Sequence, residues 1–158
     1  MNKIISYNKI NSLSIDRKKR LVLVGGCFDL FHFGHLQFLK RAKKAGDFLI
    51  VALESDEFIK KKKKRYPFHE QKERAEILAS LSMVDLVVLL PYFSSKIYYE
   101  QLVKKLKLDI LAVSQGDPQF ENKKEQIKKV GGKIRIVNSI IKKFSSSNII
   151  ERLKNLKK

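Results

Sequence analysis

Two histidines, His32 and His35, stand three residues apart around Gly34, in the stretch Gly25-Gly26-Cys27-Phe28-Asp29-Leu30-Phe31-His32-Phe33-Gly34-His35. An apolar tetrad, 21–24, precedes the stretch, and a helix-like run, 36–45, follows it and stops at Gly46. The histidines therefore belong on a turn between a buried strand and a helix start, where open α/β sheets place their ligands. Both imidazoles can face one pocket there, and the first-turn N–H groups point into the same space. Backbone donors, a positive dipole end and two imidazoles of tunable charge suit a phosphate. Substitution at the α-phosphate of a nucleoside triphosphate needs no nucleophile from the protein. It needs alignment and neutralisation of the oxygens that gain charge.

Two plainer readings compete. Cys27, His32 and His35 are ligand types that zinc accepts, although no second Cys or His cluster follows. One imidazole could cap the helix or fill the core, but that accounts for one histidine only. The patterns G-x-x-x-x-G-K-[ST] and G-x-G-x-x-G after a strand are both absent.

Two other segments could reach the same phosphate. The run Lys60-Lys61-Lys62-Lys63-Lys64-Arg65 reads as a solvated mobile loop, since like charges repel, or as a lid over a triphosphate. Lys62 and Lys64 are its candidate phosphate contacts. Ser145, Ser146 and Ser147 precede the apolar-periodic run that begins Asn148-Ile149-Ile150. That pattern is a helix N-cap, and beside the histidine turn it would be a second anion-binding helix terminus.

These segments need a sheet to bring them together. Short Val-, Ile- and Leu-rich runs at 21–24, 48–53, 86–90, 110–113 and 133–137 lack alternation, as parallel strands buried on both faces do. Helical patterns at 36–45, 70–81, 98–106, 123–130 and 147–156 lie between and after them. Alternation of this kind predicts a Rossmann-like, doubly wound α/β domain with a five-stranded parallel sheet over 21–158. Residues 1–20 read as a polar lead-in with at most one short helix.

A formal net charge of +18 on 158 residues suits an anionic partner such as a nucleotide, or the solvated surface of a lysine-rich chain. Nucleic acid is disfavoured, because the chain shows no aromatic–basic interleaving, finger spacing or recognition helix. Cys27 is the only cysteine, which excludes an intrachain disulfide and fits a reducing compartment. No run reaches the ~18 apolar residues of a membrane span. A cytoplasmic location is the expectation.

The pattern G-x-F-D-x-x-H-x-G-H, present from Gly26 to His35, resembles the signature of the cytidylyltransferase-like nucleotidyltransferases. The likeness runs from about 21 to 153. Ser55-Asp56-Glu57-Phe58 and the lysines after it resemble the phosphate loop of the glycerol-phosphate branch. Pro67 with Glu73-Arg74-Ala75-Glu76-Ile77-Leu78, and the Gly-Gly-Cys-Phe-Asp start, resemble the heptose-phosphate branch. The chain departs from the family at Phe144, where an arginine is common, and at Ser114-Gln115-Gly116-Asp117, where the heptose branch tends to read K-G-G-D.

The resemblance implies transfer of AMP or CMP from ATP or CTP, with Mg²⁺, to the phosphate of a small phosphorylated sugar or polyol, of heptose-phosphate or glycerol-3-phosphate type. Pyrophosphate is released. It implies that His32 and His35 stabilise the transition state and that Arg74 meets the substrates. Gly26, Cys27, Phe28, Gly34, Gly116, Asp117 and the three serines would bind the nucleotide, with Asp29 holding the turn. A homodimer is a further expectation. The alternatives are a FAD synthase-type or other adenylyltransferase, and a non-catalytic nucleotide- or RNA-binding module on the same fold.

Overall fold

The computed structural model describes residues 3–138 and 144–156. Among them, six parallel strands form one sheet in the order β1-β4-β3-β2-β5-β6. They are β1 (Ile4–Ser6), β2 (Leu21–Gly26), β3 (Phe48–Leu53), β4 (Leu86–Leu89), β5 (Ile110–Ser114) and β6 (Lys133–Asn138). The helices are α1 (Phe33–Lys43), α2 (Asp56–Lys63), α3 (Gln71–Ser80), α4 (Lys96–Leu106), α5 (Phe120–Lys128) and α6 (Ser146–Asn155).

The central strands are buried on both faces. All six residues of β3 are buried. In β2, Leu21 and Leu23 join the core on one side of the sheet, and Val22 and Val24 join the core on the other. Three aspartates fasten the amino ends of the strands. Asp109 accepts from Leu21 N (2.7 Å), Asp85 from Leu49 N (2.7 Å) and Asp47 from Arg20 N (2.8 Å). With the backbone fixed at that end, the ligand-bearing turns gather at the opposite, carboxyl edge. The strand order reverses between β2 and β5, which is the switch point where such sheets bind ligands.

Two expectations need correction. The sheet has six strands, because the segment 1–20 contributes an edge strand. Ile4 and Ile5 pair with Val87 and Val88, and the following 3₁₀ turn, Tyr7–Ser12, buries Tyr7 and Ile10. A three-residue strand between polar flanks is too short to show a pattern. The lysine run is helical rather than a loop. Ser55 caps α2, accepting from Phe58 N at 3.1 Å, and Asp56 and Glu57 occupy its first turn. The lysines fall in the last turn, where the helix dipole favours cations, and Lys64 closes the helix with φ 55°. No helix among the described residues is long and apolar enough to cross a membrane.

Candidate active site

The turn between β2 and α1 is strained and then held from all sides. Phe28 (φ 48°) and Leu30 (φ 52°) lie in the left-handed region, which costs a non-glycine residue about 1–2 kcal/mol each. Three remote groups hold them there. The Arg74 guanidinium, 1% exposed, donates to the carbonyls of Cys27 and His69 and to the Asp56 carboxylate at 2.7 Å. The Asp29 carboxylate, 2% exposed, accepts from Phe68 N and His69 N, each at 3.1 Å, and pairs with Arg65. Burial works against this carboxylate's charge, but Arg65 and the two amides hold its pKa below the ordinary value. Ser146 Oγ donates to the Asp29 carbonyl at 2.8 Å, which joins the start of α6 to the turn.

His32 is the N-cap of α1. Its Nδ1 accepts from Gly34 N (3.1 Å) and His35 N (3.4 Å), so the proton of the neutral ring sits on Nε2. The ring of His35 stacks on it, with centroids 3.8 Å apart. Gly34 permits this approach. A Cβ there would lie 2.7 Å from the Phe144 carbonyl and 2.9 Å from the His32 ring. Burial lowers the pKa of both histidines. For His35, burial and the neighbouring His32 together outweigh Asp29 and bring the value to about 3. Both rings are therefore neutral near pH 7, and they offer hydrogen bonds rather than charge. The capping role and the pocket-facing role coexist in His32.

Two clefts meet at this pair. The first, about 300 Å³, lies at the switch point between Gly25-Gly26 of β2 and Ala112-Val113-Ser114 of β5. His32, His35, Phe38, Asp117, Lys123, Phe144, Ser145 and Ser146 complete it. The second, about 520 Å³, is cationic. Lys63, Arg65 and Lys154 line it with Asp29, His35, Ser146, Ser147 and Glu151. Cys27, Phe28, His35 and Ser146 belong to both walls. A ligand running from one cleft to the other must pass the histidines.

The structure thus brings together Gly26, Cys27, Phe28, Asp29, Gly34, His32, His35, Asp117 and the three serines. It leaves others outside. Arg74 is buried behind the turn and shapes it rather than meeting a ligand. Lys62 and Lys64 are exposed and line neither cleft; Lys63 and Arg65 do. Gly116 turns the chain after β5 with φ 75° and lies outside both clefts. Ser145 spends its hydroxyl on the cap, accepting from Asn148 N at 3.1 Å. Burial and Glu54 push the Cys27 pKa up to about 11, so the free side chain is a protonated thiol near pH 7. Lys142 and Lys143 lie outside the described residues.

Within the run 60–65 sequence reasoning singled out Lys62 and Lys64 rather than Lys63 and Arg65, and it did not single out Lys123. The buried Ile59 marks the inward face of α2, and Lys63, one turn later, shares it. That signal was available. Lys123, paired with Asp117 at 2.6 Å, had none.

The model of the family described as cytidylyltransferase-like matches residues 23–152. A FAD synthase of Pyrococcus horikoshii is 39% identical over 87% of this chain and 94% of its own length. A FAD synthase of Thermococcus onnurineus is 44% identical over 73% of this chain and 76% of its own. The bifunctional protein HldE of Campylobacter fetus is 38% identical over 96% of this chain, which corresponds to 31% of that longer protein. Among solved structures, a lipopolysaccharide core biosynthesis protein from Thermoplasma volcanium superposes with a TM-score of 0.62 at 25% identity, covering 77% of this chain and 96% of its own. Pantoate-beta-alanine ligase from Francisella tularensis, 18% identical with a TM-score of 0.69 over 96% of this chain and 76% of its own, shares the fold. A parallel sheet with two neutral histidines on the strand-to-helix turn, the matched signature and these relatives make the chain a nucleotidyltransferase of the cytidylyltransferase-like family.

Proposed function

We propose that this chain adenylates the phosphate of flavin mononucleotide with ATP, forming FAD and pyrophosphate. The observation that supports nucleotidyl transfer is the stacked histidine pair, with His32 lining the switch-point cleft and His35 on the wall that this cleft shares with a cationic one. The flavin acceptor and ATP as donor are favoured by FAD synthases that match over most of their own length.

In this reading the nucleoside occupies the switch-point cleft. The acceptor phosphate attacks the α-phosphorus in line, and the bond to the β-phosphate oxygen breaks as pyrophosphate leaves. His32 Nε2–H donates to an α-phosphate oxygen as charge grows there. Lys63, Arg65 and the N-terminus of α6 receive the leaving pyrophosphate. Among the described residues, no three His, Cys, Asp or Glu side chains are grouped to hold a metal. Asp29, Asp56 and Asp117 are each paired with a cation. Mg²⁺ would therefore be held by the triphosphate itself, where it offsets phosphate charge.

A second reading, a sugar-phosphate acceptor, is favoured by the match of 96% of this chain to HldE and by the lipopolysaccharide core biosynthesis neighbour. The test is pyrophosphate release from ATP or CTP with flavin mononucleotide, heptose-1-phosphate or glycerol-3-phosphate as acceptor. ATP with flavin mononucleotide is expected to give the highest kcat/KM and a product with the mass of FAD. Preference for heptose-1-phosphate would establish the second reading. Nucleotide binding without pyrophosphate release in any pairing would reduce the chain to a binding module.

A further inference from the structure

The lysines of α2 that line neither cleft share their surface with aromatic rings. Lys60 Nζ lies over the Tyr66 ring, 5.1 Å from its centroid, and Lys61 Nζ lies over the Tyr92 ring at 4.4 Å. Tyr66 is 79% exposed and Phe68 is 71% exposed. The backbone that carries these two rings is tied down. Arg65 donates to the Tyr66 carbonyl at 3.0 Å, Pro67 fixes φ between them, and Phe68 N donates to both oxygens of the buried Asp29 carboxylate at 3.1 Å. Two apolar ring faces are thus displayed to water on a fixed frame, in a place where folding makes no use of their burial.

The charge beside the rings is one-sided. Every residue from 60 to 65 is a cation. Among the described residues, only Lys61, with Glu57 at 2.6 Å, and Arg65, with Asp29, have a carboxylate partner in that run. Asp56 is taken by Arg74 at 2.7 Å. Ile59 is fully buried, and successive helix residues turn by about 100°, so Lys60 and Lys61 point away from the core. Lys64, at the C-cap, is also exposed.

Several cations on one surface suit a polyanion, and rings set among them suit a partner with flat aromatic groups. A membrane surface has no such groups, and a helix that enters one needs an apolar face, whereas the Ile59 side of α2 is already buried. A duplex keeps its base faces inside the stack. An unpaired strand offers phosphates and free bases together. Basic and aromatic residues do not alternate along the chain, but the fold interleaves them by bringing the half-buried Tyr92, from the segment after β4, against α2.

We propose that this outer face of α2 binds single-stranded nucleic acid without sequence preference, with Lys60, Lys61 and Lys64 on phosphates and Tyr66, Phe68 and Tyr92 as stacking surfaces. None of these six residues lines either cleft, so the surface is separate from the candidate active site and independent of the nucleotidyl-transfer reading.

The test is fluorescence anisotropy of the full chain with a labelled thymidine 12-mer over a range of salt concentrations. A Kd on the order of 1–100 μM at physiological salt is expected. Tyr66→Ala and Phe68→Ala should each weaken binding roughly fivefold or more, and Tyr66→Phe should retain it. Lys60→Gln, Lys61→Gln and Lys64→Gln combined should reduce the slope of log Kd against log salt by about 2, because each single-strand phosphate contact contributes about 0.7. Lys124→Gln with Lys128→Gln, exposed lysines of α5, should change it little. Saturating ATP should leave the 12-mer bound. The proposal is overturned if the 12-mer does not bind, or if ATP displaces it, which would put the strand in the clefts. It is overturned equally if the alanine variants bind like wild type, or if inorganic polyphosphate or a duplex competes as well as unlabelled single strand, since charge alone would then account for binding. Preference for anionic phospholipid vesicles over the 12-mer would make the face a membrane contact instead.

Discussion

The turn at 27–35 and the lysine-rich end of α2 carry the two densest concentrations of chemistry-bearing residues, and the structure treats them in opposite ways. In the turn, nearly every polar group is held by a residue far away in sequence: Asp29 by Arg65, Phe68 N and His69 N, the Cys27 carbonyl by Arg74, and the Asp29 carbonyl by Ser146. In α2 and its C-cap, five consecutive lysines share one short segment, and of these only Lys63 lines either of the two clefts. Lys61 pairs with Glu57 in full view of solvent, a contact of little worth. Placement at a site thus follows from groups fixed by distant partners. The number of like residues in a run says little about it.

The largest effect that would sharpen this contrast is the loss of Asp29. Its side chain is 1% exposed, so Asp29→Ala takes the shared acceptor from two amide donors and from Arg65, which is itself 29% exposed and lines the cationic cleft. Leaving each such donor without its acceptor costs about 1–3 kcal/mol. Denaturant unfolding should show a loss of that size; a loss below about 1 kcal/mol would mean that the turn is not held as described.

Next come the histidines. His32→Ala and His35→Ala should each lower turnover on the order of 100-fold, the scale of one transition-state donor. His35 also gives a pH signature. Its folded pKa of about 3 lies below the ordinary histidine value of 6.5, so at intermediate pH the unfolded chain binds more protons. The stability tied to its neutral form is complete above pH 6.5 and is lost as pH falls toward 3. Melting temperature should decline on acidification through that window, and His35→Ala should flatten the decline. An unchanged slope would mean that the ring is not desolvated.

Which parts of this were legible follows the same division. The histidine turn could be read because strand, turn chemistry and helix start are contiguous from 21 to 45. The four inner strands could be read because burial on both faces leaves an unbroken apolar run, and the edge strand β6 was read from its Ile and Val residues although Lys133 and Arg135 interrupt it. The edge strand β1 could not, since three residues carry no period. The resemblance implied that Arg74 meets the substrates, and nothing local shows that a carbonyl 47 residues away would claim its guanidinium. Phe144 lines the switch-point cleft, whereas Lys63 and Arg65 line the cationic one.

A smaller effect separates the serines. Ser145→Ala removes the cap of α6 and should cost about 1 kcal/mol with little change in nucleotide affinity. Ser147 lines the cationic cleft, and its replacement should weaken triphosphate binding more than monophosphate binding. Equal losses for the two nucleotides would make it a plain helix residue.

The smallest effect is the most pointed test of the comparison, because it sets neighbours of identical chemistry against each other. Lys62 and Lys63 both sit in the last turn of α2, and both are exposed. Successive residues on a helix point about 100° apart, and Lys63 shares the phase of the buried Ile59. Only Lys63 therefore looks across the cleft at Arg65 and Lys154. A lysine–phosphate contact at an open site is screened, so Lys63→Gln should weaken ATP binding by roughly tenfold or less. Lys62→Gln should leave it unchanged. Ionic strength checks the cause, because the Lys63 difference should shrink as salt rises, when screening has already weakened the contact. Equal effects from the two substitutions, both fading with salt, would mean that the run acts through its summed charge. The helix phase would then be irrelevant, and the distinction between a placed cation and a solvated one would not hold here.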